Sequence, residues 1–441
     1  MQNIKDAQVE LINKFKNYLV KFDRNFFKPE KNSLFYPATY SECIGSYILR
    51  KKYHEKKSFI KNFRIVLSDI LYSLRYCKVE EVKKKSDIFY NRIIVTWAFE
   101  KNFKKDGSID DRYFNINSKS IKNALWFVIY QSEKIPTKID KNIILFNPKS
   151  KRINIINLIS LILENLKFLI SANYFLSSIS NYNHFSKIFI KNISPYINED
   201  VKSLLIPYEG QPFQNKLIQY IEDNYSNIKT IGYIHSPPLA LPSNFIYKNY
   251  CPKKIIVNGN DQFRCFSKIL GWKKSDIILA PSFRFFKQKI SINKIIFLPL
   301  NIKDVEKVIK SLLYLEEKKI INLKSYTVRN HPASKNSKKN LEAEKRINEI
   351  IKKLKLKKVN KKLNYSIFIG TSGSIIEALE NGKKVIQITE ENIFDFYSQK
   401  IWKNIMSKKI SENIFIYRLR KKNQLIKLGK KQNNLKRILS L

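Results

Sequence analysis

Three short motifs contain side chains that could bind or react with a substrate. They are Tyr208-Glu209-Gly210, Arg329-Asn330-His331-Pro332 and Gly370-Thr371-Ser372-Gly373-Ser374. Glu209 is suited to act as a general base, and Arg329 and His331 are suited to stabilise a negative charge. Each motif directly follows a short apolar run that predicts a buried strand. The sequence therefore predicts polar, reactive groups at the ends of strands.

The third motif lies in the most informative segment of the chain, YSIFIGTSGSIIEALENGKKVIQIT at residues 365–389. The predicted elements are a strand at Ser366–Ile369, a helix at Ser374–Glu380 and a second strand at Lys384–Ile388. In such a unit the backbone N–H groups and hydroxyls of the turn form an anion site suited to phosphate. An alternative is that Ser372 or Ser374 only caps the helix. The sequence leaves both interpretations open.

Apolar runs alternate with amphipathic stretches along most of the chain, which is typical of an α/β protein with parallel sheets. Further strands are predicted at Arg92–Ala98, Ala124–Tyr130, Asn142–Phe146, Ser203–Pro207, Thr230–Ile234, Lys254–Val257, Asp276–Leu279, Lys294–Leu298 and Ser325–Arg329. Further helices are predicted at Pro212–Tyr225, Asp261–Leu270, Lys303–Glu317 and Lys338–Leu356. The tail from Phe394 onward is predicted to be helical.

The alternation pauses at Ser282–Asn293, which predicts two Rossmann-like domains. The first covers residues 1–285 and includes a helical N-terminal extension, and the second covers residues 292–441, with tail helices that could pack back on the first. Ligands of open parallel sheets bind at the carboxyl ends of the strands. Two such domains facing one another would therefore bring the three motifs into one central cleft.

The composition allows several classes of partner. The formal net charge is +46 over 441 residues, which makes a basic nucleic-acid-binding protein an alternative function. The lysines are spread along the whole chain together with many Ile and Asn residues, as an A+T-rich genome would produce. No basic helix with a known reader motif is present, so no specific nucleic-acid partner is predicted. The charge favours acidic ligands and peripheral contact with an anionic membrane surface.

The cysteines and histidines indicate neither a metal site nor a disulfide framework, because the four residues of each type lack ligand spacing. A reducing cytosol is the simplest compartment. The N-terminus lacks the apolar core of a signal peptide. The most apolar stretch, Ile153–Phe175, contains too many polar residues to predict a membrane span.

The order of the motifs resembles a known set. YEG, then HP, then a Ser/Thr-Ser turn is similar to the motifs of bacterial CMP-sugar glycosyltransferases of GT-B fold, the sialyltransferase and Kdo-transferase groups. The stretches DGSIDDRYF, YEGQPFQN and GYIHSP also resemble a family of surface-carbohydrate (O-antigen type) biosynthesis proteins. This second resemblance covers residues 90 to 390, approximately. YEG stands where the first motif set more commonly has a paired acid.

The resemblance implies a cytoplasmic enzyme, peripheral at the inner face of the membrane, that needs neither metal nor cofactor. It would transfer a nonulosonic acid or Kdo with inversion to a glycan or lipid-linked acceptor. The donor would be the CMP-linked sugar, which is a co-substrate. Glu209 would be the base that takes the proton of the acceptor hydroxyl. The donor phosphate would be bound by Arg329, His331, Pro332, Gly370, Thr371, Ser372, Gly373 and Ser374. The acceptor side would include Gly210, Gln211, His235, Asp111 and Arg112.

Other interpretations remain open at these residues. With a UDP- or GDP-sugar as donor, Glu377 could bind the ribose hydroxyls. Glu209 could only favour the start of the following helix, and His331 with its proline could form a plain strand-end turn. His235 could be a loop histidine with satisfied hydrogen bonds. The segment around Asp111 could be a solvated loop with a local Asp–Arg pair.

Overall fold

The computed structural model describes residues 4–23, 80–82, 88–132, 134–147, 159, 163, 181–286, 294–331, 334, 337–354 and 365–429. Several predictions fall outside these ranges. They concern Pro332, Cys43, Cys77, nearly all of the stretch 153–175 and most of the pause at 282–293.

A mainly parallel sheet occupies the first part of the chain. Its strands and one short separate ribbon are β1 (Glu80–Val82), β2 (Arg92–Ala98), β3 (Asp110–Asp111), β4 (Ile116–Asn117), β5 (Ala124–Tyr130), β6 (Ile143–Asn147), β7 (Ser203–Pro207), β8 (Lys229–Tyr233), β9 (Lys254–Val257) and β10 (Ile277–Leu279). The sheet has the order β1-β6-β5-β2-β7-β8-β9-β10, and β3 pairs with β4 outside it. All neighbours run parallel except β1, which is antiparallel to β6.

A second sheet follows. Its strands are β11 (Ile295–Phe297), β12 (Thr327–Arg329), β13 (Tyr365–Ile369), β14 (Lys384–Ile388), β15 (Ile405–Lys409) and β16 (Ile414–Leu419). The order is β12-β11-β13-β14-β16-β15, with the first four strands parallel and the last two antiparallel. The helical prediction for the tail is wrong here, because β15 and β16 extend this sheet. The segment 414–419, IFIYRL, is an apolar and aromatic run typical of a strand.

Helices cover the faces of the sheets. They are α1 (Ile4–Asp23), α2 (Asn181–Ile193), α3 (Pro212–Asn224), α4 (Asn260–Arg264), α5 (Val305–Glu317), α6 (Lys338–Lys353), α7 (Ser374–Glu380) and α8 (Asn392–Asp395). After α4 the chain continues as a π-helix over Cys265–Ile269. No described helix is long and apolar enough to cross a membrane.

One hydrophobic cluster joins the two sheets. It contains Val257 and Phe266 from the first part of the chain, Phe368 and Trp402 from the second, and Leu11 of α1. The tail strengthens the contact, since the N–H of residue 427 donates to the carbonyl of residue 258 at 2.6 Å. The predicted fold class is confirmed: the protein is α/β, with two mainly parallel sheets, consistent with a GT-B-like two-domain fold. The domain limits at residues 285 and 292 stay a prediction.

Candidate active site

The loop after β7 is held in a fixed shape by one buried glutamine. Oε1 of Gln214 accepts from the backbone N–H groups of Glu209 at 2.9 Å and Gln211 at 3.1 Å, and its Nε2 donates to the carbonyl of Pro207 at 2.7 Å. Gly210 has a φ of +69°, and a Cβ there would lie 2.3 Å from the carbonyl oxygen of Asn244. Only glycine fits this position. Gln214 and Gly210 therefore fix the backbone that positions Glu209.

The carboxylate of Glu209 has a hydrogen-bond donor on each oxygen. Nε2 of His235 lies 3.2 Å from Oε1, and Nε2 of Gln211 donates to Oε2. The side chain of Glu209 is 24% exposed, whereas that of His235 is 4% exposed. Glu209 is thus the member of the pair that a substrate could reach. Its carboxylate is oriented from two sides, as a positioned base requires.

His235 follows β8 and is buried behind Glu209. Its Nδ1 has no hydrogen-bond partner within the described residues. Burial lowers the pKa of His235 below its ordinary value, which outweighs the opposite effect of Glu209, and the positive charge of Arg284 lowers it further. The lowered pKa favours the neutral imidazole, and in that form a proton on Nε2 would be donated to Glu209. His235 is thus buried with one satisfied ring nitrogen, and its role as an acceptor contact stays a prediction.

Asp111 fixes a tyrosine against this histidine. The ring of Tyr113 packs edge-on against His235 with 4.7 Å between centroids. Asp111 accepts from the backbone N–H groups of Tyr113 at 2.8 Å and Phe114 at 2.6 Å, and from the hydroxyl of Thr96. Burial raises the pKa of Asp111 to about 6. Asp111 thus lies behind Tyr113 and supports it.

The interpretation of this segment as a solvated loop with an Asp–Arg pair is therefore wrong for Asp111. Its neighbour Asp110 pairs with Lys104 at 3.1 Å. Arg112 is exposed and forms no ion pair with either aspartate in the described part of the chain. A carboxylate that is needed to hold backbone N–H groups cannot be distinguished by sequence from one in a solvated turn.

The structure adds Arg284 to the candidate site. Sequence reasoning missed this residue because it lies where the alternation of strands and helices pauses between the predicted domains. Its Cζ lies 5.8 Å from the ring centroid of Tyr113 and 5.5 Å from that of Phe285. Its charge lowers the pKa values of His235 and of Glu377, in opposition to burial at the latter. Arg284 therefore lies within electrostatic reach of both parts of the chain.

The Gly370–Ser374 turn follows β13, as predicted, but the hydroxyls of Thr371 and Ser372 already have hydrogen-bond partners. Oγ1 of Thr371 donates to Asp395 at 2.6 Å, and Oγ of Ser372 accepts from the N–H of Ser374 at 3.2 Å. The capping alternative thus describes the Ser372 hydroxyl in this structure. The backbone N–H groups of residues 371–373 donate to no acceptor in the described part of the chain. These N–H groups remain available to an anion.

This turn meets the loop after β8. A Cβ at Gly373 would lie 3.4 Å from Oγ of Ser236 and from Cδ of Pro237. Glu377, one turn further along α7, is half-buried, and burial raises its pKa. The structure therefore brings the Glu209 pair, Arg284 and the turn to one junction.

The RNHP motif lies farther along the same edge. Arg329 ends β12 with its Cζ 6.0 Å from the ring centroid of Phe297. His331 is exposed, and its carbonyl accepts from the N–H and hydroxyl of Ser334 at 2.9 and 2.8 Å. Strand β11 separates β12 from β13, so the motif is two strand positions from Ser372. Both motifs lie at the carboxyl edge, with RNHP at its rim.

No group of three or more metal-ligating side chains that could hold an ion occurs among the described residues. No family model matches the sequence, and no curated protein matches it. A solved glycosyltransferase from Rickettsia africae ESF-5 is a weak structural match, with a TM-score of 0.32 and 13% identity. That similarity covers 71% of this chain and 88% of the other.

Proposed function

We propose that this protein is a glycosyltransferase that transfers a sugar from a nucleotide-linked donor by metal-independent inversion. The observation that carries the proposal is the pair formed by Glu209 and His235. It lies at the carboxyl edge of one parallel sheet, beside the Gly370–Ser374 turn at the carboxyl edge of a second sheet. This edge is where ligands of such sheets bind.

In the proposed reaction, Glu209 takes the proton from the acceptor hydroxyl. The acceptor oxygen forms a bond to the anomeric carbon while the bond from that carbon to the donor phosphate breaks, and its electron pair leaves on the phosphate. Attack from the face opposite the leaving group inverts the configuration, and the transition state is oxocarbenium-like. His235 and Gln211 keep the Glu209 carboxylate oriented through their hydrogen bonds.

The leaving phosphate gains negative charge and needs donors around it. The unengaged N–H groups of residues 371–373 are suited to that role, and Arg329 and His331 at the rim could approach the rest of the nucleotide. Of the donors, CMP-linked nonulosonic acid or Kdo is proposed first. A UDP- or GDP-sugar is the alternative, and half-buried Glu377 would then face the ribose hydroxyls.

The acceptor is proposed to be a growing surface glycan of O-antigen type or a lipid-linked sugar. The net charge of +46 would hold the protein at an anionic membrane surface, near such an acceptor. Any affinity of the basic surface for nucleic acid should be weak and without sequence specificity, and it should fall steeply as salt rises because it rests on phosphate contacts. A sequence-specific affinity that persists at physiological salt would contradict the proposed function.

The test starts with the full-length protein and a panel of CMP, UMP, UDP, GMP and GDP. A ligand that binds only the folded state stabilises it by about 2.7 kcal/mol at a hundredfold excess over its dissociation constant. We expect one nucleotide to raise the melting temperature and its sugar conjugate to release that nucleotide in the presence of EDTA. Stabilisation by UDP and not by CMP would identify the alternative donor. No stabilisation and no release would contradict the proposal.

A further inference from the structure

Arg284 projects from a backbone that both parts of the chain hold in place. The hydroxyl of Ser282 accepts from the N–H of Arg284 at 3.2 Å and from that of Phe285 at 2.9 Å. The N–H of Gly429 donates to the carbonyl of Phe285 at 2.8 Å, and the N–H of Phe283 donates to the hydroxyl of Tyr233 at 3.0 Å. Residues from both parts of the chain therefore hold the backbone of Arg284 in place.

Its guanidinium contacts rings and no carboxylate. It lies over Tyr113 and Phe285, within cation–π distance of each ring, and the residue is exposed. It forms no side-chain hydrogen bond or ion pair within the described residues. Other arginines differ: Arg264 donates to two carbonyls, and Arg346 pairs with Glu306 at 2.6 Å. Arg284 therefore keeps one full charge and five N–H donors for a ligand.

The charge acts on the groups that line the junction. It lowers the pKa of His235 behind the candidate base and that of Glu377 on α7. Tyr113, on which the guanidinium lies, also packs against His235. A positive group on Tyr113 that acts electrostatically on both His235 and Glu377 is suited to a ligand that carries negative charge there.

We propose that Arg284 binds an oxyanion at this junction and that this oxyanion is the phosphate of the donor. The identification of the phosphate rests on the proposed function, whereas the oxyanion site does not. The planar fork of a guanidinium matches the oxygens of a phosphate or carboxylate. In the transfer reaction it would stabilise the charge that grows on the leaving phosphate, while Glu209 accepts the proton on the other side of the reacting carbon.

The experiment measures binding by calorimetry at about 0.15 M and about 0.5 M salt, so that weak contacts of surface lysines are screened. The probes are CMP, UMP and GMP, their nucleosides, inorganic pyrophosphate and sialic acid. The variant is Arg284→Gln, with Arg284→Lys to retain the charge. The control is Arg92→Gln, which removes the same charge from the first residue of β2, at the opposite edge of the sheet.

We expect Arg284→Gln to weaken binding of one nucleoside monophosphate and of pyrophosphate by about tenfold or more, because it removes charged hydrogen bonds to the anion. Binding of the corresponding nucleoside should be unaffected. The affinity of Arg284→Lys should lie between those of Arg284→Gln and the wild type. Arg92→Gln should bind the same probes as tightly as the wild type. Unchanged binding in Arg284→Gln, equal losses for nucleotide and nucleoside, or no anion binding by the wild type would overturn the proposal. Loss of sialic acid binding alone would overturn the assignment to phosphate. Arg284-dependent pyrophosphate binding without any nucleotide binding would support the oxyanion site and contradict the proposed function.

Discussion

Nε2 of His235 lies 3.2 Å from Oε1 of Glu209, which links the ends of the neighbouring strands β7 and β8. Burial lowers the pKa of the imidazole and so favours its neutral form, and the partly exposed carboxylate is the group that a substrate can reach. Glu209 is thus the candidate catalytic residue, and His235 is a positioning residue. The functions of the two side chains can be separated by experiment.

Glu209→Gln should lower kcat by about 10² to 10⁴, the usual contribution of a general base, because an amide cannot take the acceptor proton. The amide also places an NH₂ group opposite one of the two donors that hold the carboxylate, so nucleotide binding must be measured alongside turnover. We expect that binding to be nearly unchanged. Glu199→Gln is the matched control, since Glu199 is exposed before β7 starts. Normal turnover in Glu209→Gln would show that the base lies elsewhere.

His235→Gln should change how stability depends on pH. Because burial lowers the pKa of His235 below 6.5, the unfolded chain binds this proton more tightly than the folded protein does. The contribution of His235 is therefore fully present above pH 6.5 and is lost as the pH falls below it. The free energy of unfolding, measured with urea between about pH 5 and 7.5, should depend less on pH in His235→Gln than in the wild type.

The comparison for that measurement is His331→Gln. Burial lowers the pKa of His331 as well, but this residue is more exposed than His235, so the variant should alter the slope in the same direction and by less. If the slopes of the wild type and His235→Gln coincide, burial of the imidazole does not govern this pH range. The same variant should lower kcat/KM if His235 orients Glu209. Loss of stability without any kinetic change would assign His235 a purely structural role.

Much of the framework of the site follows from local sequence patterns. The predicted limits of β7, α7 and β14 match the structure because strong local signals bound these elements. Pro207 and Tyr208 mark the end of β7, and Asn381-Gly382 lies between α7 and β14. Contacts between distant residues carry no such signal. The pairing of Glu209 with His235 depends on the adjacency of β7 and β8, and Arg284 lies in a segment without periodicity. Asp111 resembles any turn aspartate until its burial is known.

Gly210→Ala should destabilise the protein and displace Glu209. The left-handed conformation alone costs a side chain about 1–2 kcal/mol, and the added Cβ would meet the carbonyl of Asn244 at 2.3 Å. Gly271→Ala is the matched control, because φ is +90° there but the nearest atoms lie at 3.7 Å. We expect a larger decrease in the free energy of unfolding for Gly210→Ala, with a loss of turnover. Equal effects in both variants would contradict the clash.

Two variants of the Gly370–Ser374 turn distinguish the contributions of its hydroxyls from those of its backbone N–H groups. Thr371→Val removes the donor to Asp395, whose pKa is raised by burial and lowered by this hydrogen bond. The pKa of Asp395 should then rise further. Because a raised carboxyl pKa favours folding at acidic pH and this contribution is lost as the pH rises, the variant should lose more stability at pH 7 than at pH 4, by about 1–3 kcal/mol. Chemical unfolding at both pH values measures this difference, and equal losses would contradict it.

Ser372→Ala should have a smaller effect on stability, about 0.5–1 kcal/mol, because it removes one capping bond to the N–H of Ser374 in a half-exposed turn. If phosphate binds through the backbone N–H groups of residues 371–373, the variant should retain nucleotide affinity within about threefold of the wild type, since a threefold change corresponds to less than one hydrogen bond to a charged group. Calorimetry with the nucleotide that stabilises the wild type measures this. A tenfold loss in Ser372→Ala, with normal stability, would show that the hydroxyl leaves its capping bond to bind the phosphate.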